Sequence, residues 1–101
     1  MSKFQDIVQT KGLVLIDFYA DWCGPCQMMS PVLESVKKEV QDALTILKIN
    51  VDKNPKMASL YQVRGVPAFV LFQEGKLVWR QSGMMSKRDF IDLIHRYKKN
   101  P

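Results

Sequence analysis

Two cysteines separated by two residues are the side chains of this sequence best suited to chemistry. Cys23 and Cys26 are the only cysteines of the chain, and they lie in the segment DWCGPC between an apolar run and a helical pattern. A thiol reacts as its thiolate, and the unpaired N–H groups and positive dipole end of a helix N-terminus stabilise that anion. We therefore expect Cys23 to be an accessible nucleophile at a helix start. The spacing lets Cys26 come within bonding distance, so that a disulfide can form and break.

Three other uses of a cysteine pair compete with this interpretation. A structural zinc site needs four ligands, and beyond the two cysteines the chain offers one distant histidine, His95, so a metal would have to be shared between chains. Covalent haem attachment requires a histidine directly after the second cysteine, where this chain has Gln27. A purely structural disulfide would close a minimal loop and remove little entropy from the unfolded chain. The pattern favours a redox-active dithiol and no metal site.

Composition and charge narrow the possible classes of protein. The 101 residues, 47% of them hydrophobic and 25% charged, predict a single domain over residues 1–101. No apolar run approaches the roughly 18 residues of a membrane span. The first ten residues are polar where a secretory signal is apolar, so we expect a cytoplasmic protein, although a mature exported protein would have the same pattern. The net charge of +5 is scattered rather than interleaved with aromatic residues, which predicts a solvated cationic surface and no nucleic-acid binding.

The apolar residues alternate between strand and helix periods, which predicts an α/β fold. Strands are predicted over residues 13–19, 44–51, 68–73 and 77–82. The run 13–19 is apolar on both faces apart from Asp17, as in a strand covered on both sides. Because a helix separates the first two strands they should be parallel, whereas the turn at 74–76 makes the last two a hairpin.

Helical spacing predicts four helices around these strands. They are a short helix near residue 4 that ends at Gly12, a long one from Cys26, a short one opened by Asn54 and Pro55, and a last one capped by Ser86. The predicted architecture is a central mixed sheet with helices on both faces.

The segment WCGPC at residues 22–26, with Asp17 in the preceding strand and GVP at residues 65–67, resembles the thioredoxin family over about residues 13–97. The resemblance implies the thioredoxin fold. Because the segment before residue 13 is too short for the family's opening strand and helix, we expect about four strands and no first edge strand. The resemblance also implies a monomeric protein-disulfide reductase that takes part in electron transport and cell redox homeostasis.

In such a reductase, the Cys23 thiolate would attack a protein disulfide, and Cys26 would resolve the mixed disulfide. We expect Cys26 to be the more buried of the two and to remain a thiol until its proton is removed. The chain itself would bind no cofactor. As the resemblance implies, its electrons would come from an NADPH-dependent flavoprotein, a thioredoxin reductase.

Asp17 interrupts an apolar run, so burial should raise its pKa and make it a proton acceptor near neutral pH. The resemblance assigns it to removing the Cys26 proton through a water molecule. The alternative is a carboxylate at a strand end that is solvated or paired. Lys48 could be that pair partner and tune Asp17, or it could extend its amine into solvent.

The substrate-binding residues are expected around the dithiol. The resemblance implies a cis Val66–Pro67 bond beside it, with Pro67 as part of the catalytic group and the Val66 backbone open to pair with an extended substrate. Trp22, Pro25, Pro67 and Met84 would form an apolar rim around Cys23, with Gly24 and Gly83 beside it. For Met84, core filling or ordinary surface exposure is the alternative.

Two further functions remain open from the sequence. The same apolar rim could serve a binding module that docks a partner whatever the state of the dithiol. An exported oxidase or isomerase would run the chemistry in the opposite direction, which the polar N-terminus and the WCGPC segment disfavour.

Overall fold

The computed structural model describes residues 3–9 and 12–98. In chain order, its elements are α1 (Lys3–Val8), β1 (Leu13–Tyr19), α2 (Gly24–Val40), a single 3-10 turn (Gln41–Ala43), β2 (Leu44–Asn50), α3 (Pro55–Leu60), β3 (Ala68–Gln73), β4 (Lys76–Ser82) and α4 (Lys87–Lys98). Among the described residues, no helix has the length and apolar character that crossing a bilayer requires. All four predicted strands are present, and β1 has the predicted bounds.

The strands form one mixed sheet in the order β2-β1-β3-β4. β1 runs parallel to β2 and antiparallel to β3, and β3 and β4 form the antiparallel hairpin. Within the described residues the sheet has four strands, as expected for a chain without the family's first edge strand. In this register Asp17 lies opposite Lys48 on one side and Phe69 on the other.

Alternate residues of β1 supply two separate cores, one on each face of the sheet. Leu13 and Leu15 pack with buried residues of α2 and α4, and Val14, Ile16 and Phe18 pack with residues of α1 and the α3 region. The prediction of helices on both faces is therefore confirmed. By the same alternation, Asp17 belongs to the face that α2 and α4 cover.

Four boundaries differ from the sequence-based expectation. α2 begins at Gly24 rather than at Cys26, and β2 ends at Asn50 rather than at residue 51. α1 ends at Val8 rather than at Gly12, which instead lies directly before β1 with a φ of 93° and accepts a hydrogen bond from the Glu74 N–H at 3.4 Å. The hairpin turn has two residues, Glu74 and Gly75, both with positive φ, rather than three. A two-residue turn in which both residues have positive φ matches the right-handed twist of the strands. Lys76 therefore pairs with Gln73 and is the first residue of β4.

Candidate active site at the start of α2

The two cysteines lie where β1 has ended and α2 begins, and they form a disulfide. Cys23 is the N-cap residue of α2, with extended backbone, and its Cα is 5.3 Å from that of Cys26. The Cys26 N–H donates a hydrogen bond to Cys23 Sγ at 3.1 Å. Pro25 occupies the first turn of the helix, where a missing N–H breaks no hydrogen bond. One N–H of the helix start, that of Cys26, is thus directed at the sulfur of Cys23.

The expected difference in burial between the two cysteines is wrong for this disulfide form. Cys23 is 3% exposed and Cys26 is 6% exposed, so Cys23 is neither accessible nor the less buried of the two. Both cysteines pack with Ala20, and Val66 packs against that group. Cys23 Sγ lies 3.7 Å from the Val66 carbonyl oxygen, a contact without a shared proton because the disulfide sulfur carries none. The segment around Val66 therefore covers the sulfur that the sequence placed at the surface.

The peptide bond between Val66 and Pro67 is cis, as the resemblance implied. Val66 is half-buried beside the disulfide, and its N–H has no hydrogen-bond partner among the described residues. Pro67 is buried, so its expected place in an exposed rim is wrong: the next residue already enters the buried strand β3. The Gly83 N–H donates to the Pro67 carbonyl at 2.8 Å and so ties the segment that carries Met84 to this loop.

The exposed apolar side chains among the predicted rim residues are Trp22, Pro25 and Met84. Trp22 is 71% exposed and Met84 is 50% exposed, so Met84 does not fill the core. Gly24 is also exposed, at the first residue of α2. The indole of Trp22 is held in place, because its Nε1–H donates to Asp52 Oδ2 at 2.8 Å.

Asp17 is almost completely buried, as the sequence predicted, with 3% of its surface exposed. Its Oδ1 is fully buried and has no hydrogen-bond partner among the described residues. Burial raises the pKa of Asp17 from 3.8 to about 6, and the positive charge of Lys48 opposes this rise. The carboxyl group is therefore ionised at neutral pH and can still accept a proton readily.

Asp17 and Cys26 line one cavity of about 220 Å³, together with Ser30 and Lys48. A cavity that holds a water molecule needs only about 10 to 15 Å³ of such volume and a few polar partners. This one offers a carboxylate, a hydroxyl and an amine, so it has the room and the polar groups for a water that links Asp17 to Cys26.

Lys48 does not form the ion pair with Asp17 that the sequence suggested. Its side chain is exposed, and its Nζ donates to Ser30 Oγ at 3.3 Å. Within the described part of the chain, no ion pair joins Lys48 to Asp17. The expectation of an amine reaching solvent is closer to the structure, although the charge of Lys48 still acts on the pKa of Asp17.

Sequence reasoning missed two residues that support this site. Ser30 lies four residues after Cys26, on the same face of α2, and that spacing could have indicated it. Asp52, the partner of the Trp22 indole, lies in the turn after β2, where Asn50 Oδ1 accepts hydrogen bonds from the N–H groups of Asp52 and Lys53. No sequence signal connects Asp52 to Trp22.

No cluster of histidine, cysteine or acidic side chains suited to a metal ion occurs within residues 3–9 and 12–98. His95, the histidine named above as a remote metal ligand, is exposed on α4.

Comparison with known proteins agrees with this geometry. The family model described as thioredoxin matches residues 1–96. A thioredoxin of Buchnera aphidicola is 43% identical over 94% of this chain and 87% of its own length. The solved structure of a mutant thioredoxin from Halobacterium salinarum is 42% identical and has a TM-score of 0.91, covering all of this chain and 88% of its own. A bifunctional thioredoxin reductase/thioredoxin of Mycobacterium leprae is 43% identical over 92% of this chain, which corresponds to 21% of that longer protein.

Proposed function

Because the chain belongs to the thioredoxin family and is a thiol–disulfide oxidoreductase with a Cys23–Cys26 redox pair, we propose how its residues divide the work of reducing a protein disulfide. The observation that carries the division is the hydrogen bond from the Cys26 N–H to Cys23 Sγ at 3.1 Å. In the reduced protein, this N–H and the start of α2 stabilise a thiolate on Cys23.

In the first step, the Cys23 thiolate attacks one sulfur of the substrate disulfide. The Cys23–substrate bond forms as the substrate disulfide breaks, and the departing thiolate takes a proton from solvent. In the second step, Cys26 loses its proton and attacks Cys23 Sγ, which forms the disulfide seen here and breaks the Cys23–substrate bond. The second substrate sulfur leaves as a thiolate and takes a proton from solvent. The dithiol has then given two electrons to the substrate.

We assign removal of the Cys26 proton to Asp17, through a water in the cavity that both residues line. A pKa of about 6 leaves the carboxyl group ionised at neutral pH while keeping it a stronger base than an ordinary aspartate. The unpartnered Oδ1 is available for a hydrogen bond with that water.

The surface for the substrate consists of Trp22, Pro25 and Met84, with Gly24 and Gly83 beside them. The N–H of Val66, which has no partner within residues 3–9 and 12–98, supplies a backbone donor next to the buried Pro67 for an extended substrate segment. Apolar contacts and main-chain pairing select for exposed, locally extended chain rather than for one sequence.

Electrons reach the disulfide from a thioredoxin reductase, a flavoprotein that uses NADPH, and the chain works as a monomer in the cytoplasm within electron transport and redox homeostasis. The Mycobacterium leprae relative supports the choice of reductase, since that protein is named as a thioredoxin reductase joined to a thioredoxin.

The test of the two cysteine roles is a turnover assay in which the protein speeds reduction of insulin disulfides by dithiothreitol. We expect Cys23→Ser to abolish the acceleration. Without dithiothreitol, Cys26→Ser should form a covalent adduct with the substrate, visible by mass spectrometry, because the variant lacks the thiol that resolves the mixed disulfide. An adduct in Cys23→Ser and none in Cys26→Ser would reverse the assignment.

The role of Asp17 is tested by the rate at which the mixed disulfide is resolved. In the unaltered protein this rate should rise with pH through about 6, as Asp17 ionises. Asp17→Asn should remove that rise and slow resolution at neutral pH, whereas the first step keeps its rate. Equal resolution rates in both proteins would leave Asp17 with a structural role only.

A binding module remains a second candidate, because Trp22 and Met84 expose large apolar side chains in the disulfide form and apolar docking needs no thiol. If the exposed apolar side chains serve only the reductase reaction, the double variant Cys23→Ser with Cys26→Ser should no longer bind the substrate protein. Binding that persists at the original affinity would favour the module.

A further inference from the structure

We propose that Ser30 is a positioning residue, whose hydroxyl holds the Lys48 ammonium at the cavity shared by Asp17 and Cys26 and so tunes the pH at which Asp17 takes up a proton. Asp17 titrates whether or not it serves catalysis. Only the consequence for the reaction rests on the proposed function of Asp17 as the acceptor of the Cys26 proton.

Ser30 is bonded to Lys48 and lines the cavity that Asp17 and Cys26 share. It lies one turn beyond Cys26 on the same face of α2, is half-buried, and accepts a hydrogen bond from Lys48 Nζ at 3.3 Å. Lys48 lies opposite Asp17 in the β1–β2 register. All four side chains line the same cavity.

The hydroxyl of Ser30 matters because lysine is a point charge on a long flexible stem. Among the described residues, Ser30 is the partner to which Lys48 donates a hydrogen bond. Ser30 carries no charge, so its influence on Asp17 acts through the place where it keeps the ammonium. The attraction between Lys48 and the carboxylate falls as their separation grows.

A second groove lined by Ser30 offers a competing site for the Lys48 ammonium. This adjacent open groove of about 450 Å³ is lined by Ser30 and Lys48 and also by Glu34, one turn further along α2. Lys37 and Lys38 line the same groove, and the Lys37 ammonium is held by the carbonyls of Gln41 and Leu44. Without the Ser30 hydroxyl, the carboxylate of Glu34 and the solvent would draw Lys48 away from the cavity. Removing the hydroxyl should therefore favour the protonated form of Asp17.

The other groups that face Asp17 do not replace Lys48. Among the described residues that line the cavity, Lys48 is the one cation, and Asp21 and Tyr19 are the remaining ionisable groups besides Cys26. Asp21 is exposed and carries the same charge as Asp17. Phe69 faces Asp17 from β3 and is apolar, and Cys26 does not titrate within the disulfide.

The test follows the carboxyl carbon of Asp17 by NMR, in oxidised protein labelled with ¹³C aspartate, as the pH is varied. Ser30→Ala should raise the titration midpoint by roughly half a pH unit, the order expected for a partly screened charge that moves a few ångströms. Ser30→Thr, which keeps a hydroxyl, should restore the original midpoint. Ser35→Ala is the matched control on the same helix and should leave it unchanged.

A second variant separates positioning from a change in the fold. Lys48→Met should raise the midpoint at least as much as Ser30→Ala, and adding Ser30→Ala to Lys48→Met should change nothing more. An unchanged midpoint in Ser30→Ala, or a full shift that persists without Lys48, would overturn the inference.

The reaction itself provides the link to the proposed function. If Asp17 accepts the Cys26 proton, the pH profile of mixed-disulfide resolution should move with the midpoint in Ser30→Ala. A midpoint that moves while the rate profile stays in place would uphold the positioning by Ser30 and refute the acceptor role of Asp17.

Discussion

Leu15 and Asp17 lie two residues apart on the same face of β1, and burial has opposite consequences at the two positions. Leu15 packs in the core between the sheet, α2 and α4, where the rings of Phe69 and Phe90 meet edge to face at 5.1 Å between centroids. Asp17 meets a cavity and has a buried oxygen without a partner among the described residues. Burial of apolar surface stabilises the fold, whereas burial of a carboxyl group penalises its charged form. β1 therefore stabilises the fold at Leu15 and contributes to a reactive site at Asp17.

The largest expected effect comes from opening a cavity in the apolar region. Phe90 is fully buried, and Phe90→Ala should lower the free energy of unfolding by about 3 to 5 kcal/mol, as large-to-small changes of aromatic core residues do. The measurement is urea unfolding of the oxidised protein.

Leu60→Ala is the control for Phe90→Ala, since Leu60 is an exposed apolar residue and its removal should leave stability nearly unchanged. The rate of disulfide reduction per folded Phe90→Ala molecule should remain that of the unaltered protein. A lower rate of disulfide reduction in folded Phe90→Ala protein would show that the apolar core around Phe90 and the cavity at Asp17 are not independent.

Asp17→Asn should change the free energy of unfolding somewhat less than Phe90→Ala, and it should raise it. The pKa of Asp17 is raised in the folded protein from 3.8 to about 6, so the folded state binds more protons across that interval and loses stability as the pH rises through it. Above pH 6 the ionised group then costs about 3 kcal/mol, which asparagine avoids. Unfolding at pH 8 should show the variant more stable by about that amount.

At pH 4 or below, the advantage of Asp17→Asn should largely disappear, because the carboxyl group of the folded protein is then neutral. An advantage of the same size at both pH values would mean that the gain comes from packing rather than from removing a buried charge.

Ser86→Ala tests the N-cap of α4, the helix that packs in the same apolar core as Leu15. Ser86 Oγ accepts a hydrogen bond from the Asp89 N–H at 3.1 Å at the start of α4, and loss of such a cap costs about 1 kcal/mol. We expect the loss in urea unfolding, with turnover unaffected. Ser86→Asp, which keeps an acceptor, should recover most of the stability, and equal stability of all three proteins would contradict the capping role.

Glu39→Gln should have the smallest effect. Glu39 Oε1 lies 3.0 Å from Lys87 Nζ and joins α2 to α4 at the surface, where both side chains are about half exposed. Such pairs contribute roughly 0 to 1 kcal/mol and weaken with salt. The difference in the free energy of unfolding between Glu39→Gln and the unaltered protein should shrink as NaCl is raised from about 0.05 M to about 0.5 M. A salt-independent loss would indicate a packing contribution instead.

Much of the fold could be predicted from local patterns. The apolar run of β1, the helical spacing of α2 and the presence of a hairpin turn near Gly75 each leave a signal within a few residues, although the turn is one residue shorter than predicted. The cysteine pair and the burial of Asp17 were predicted for the same reason. The wrong end of α1 shows the limit of such signals, because Gly12 has a positive φ for the entry into β1 rather than for a helix end.

The amino-acid sequence by itself determined the order of the elements, the two faces of β1 and the position of the dithiol at a helix start, because each depends on residues close together in the chain. Only the tertiary structure decided that Cys23 is covered, that Pro67 is buried, that Trp22 binds Asp52 and that Lys48 reaches Ser30 rather than Asp17. These depend on which distant segments meet around one cavity. Burial and electrostatic attraction act through space, so spacing along the chain carries no measure of them.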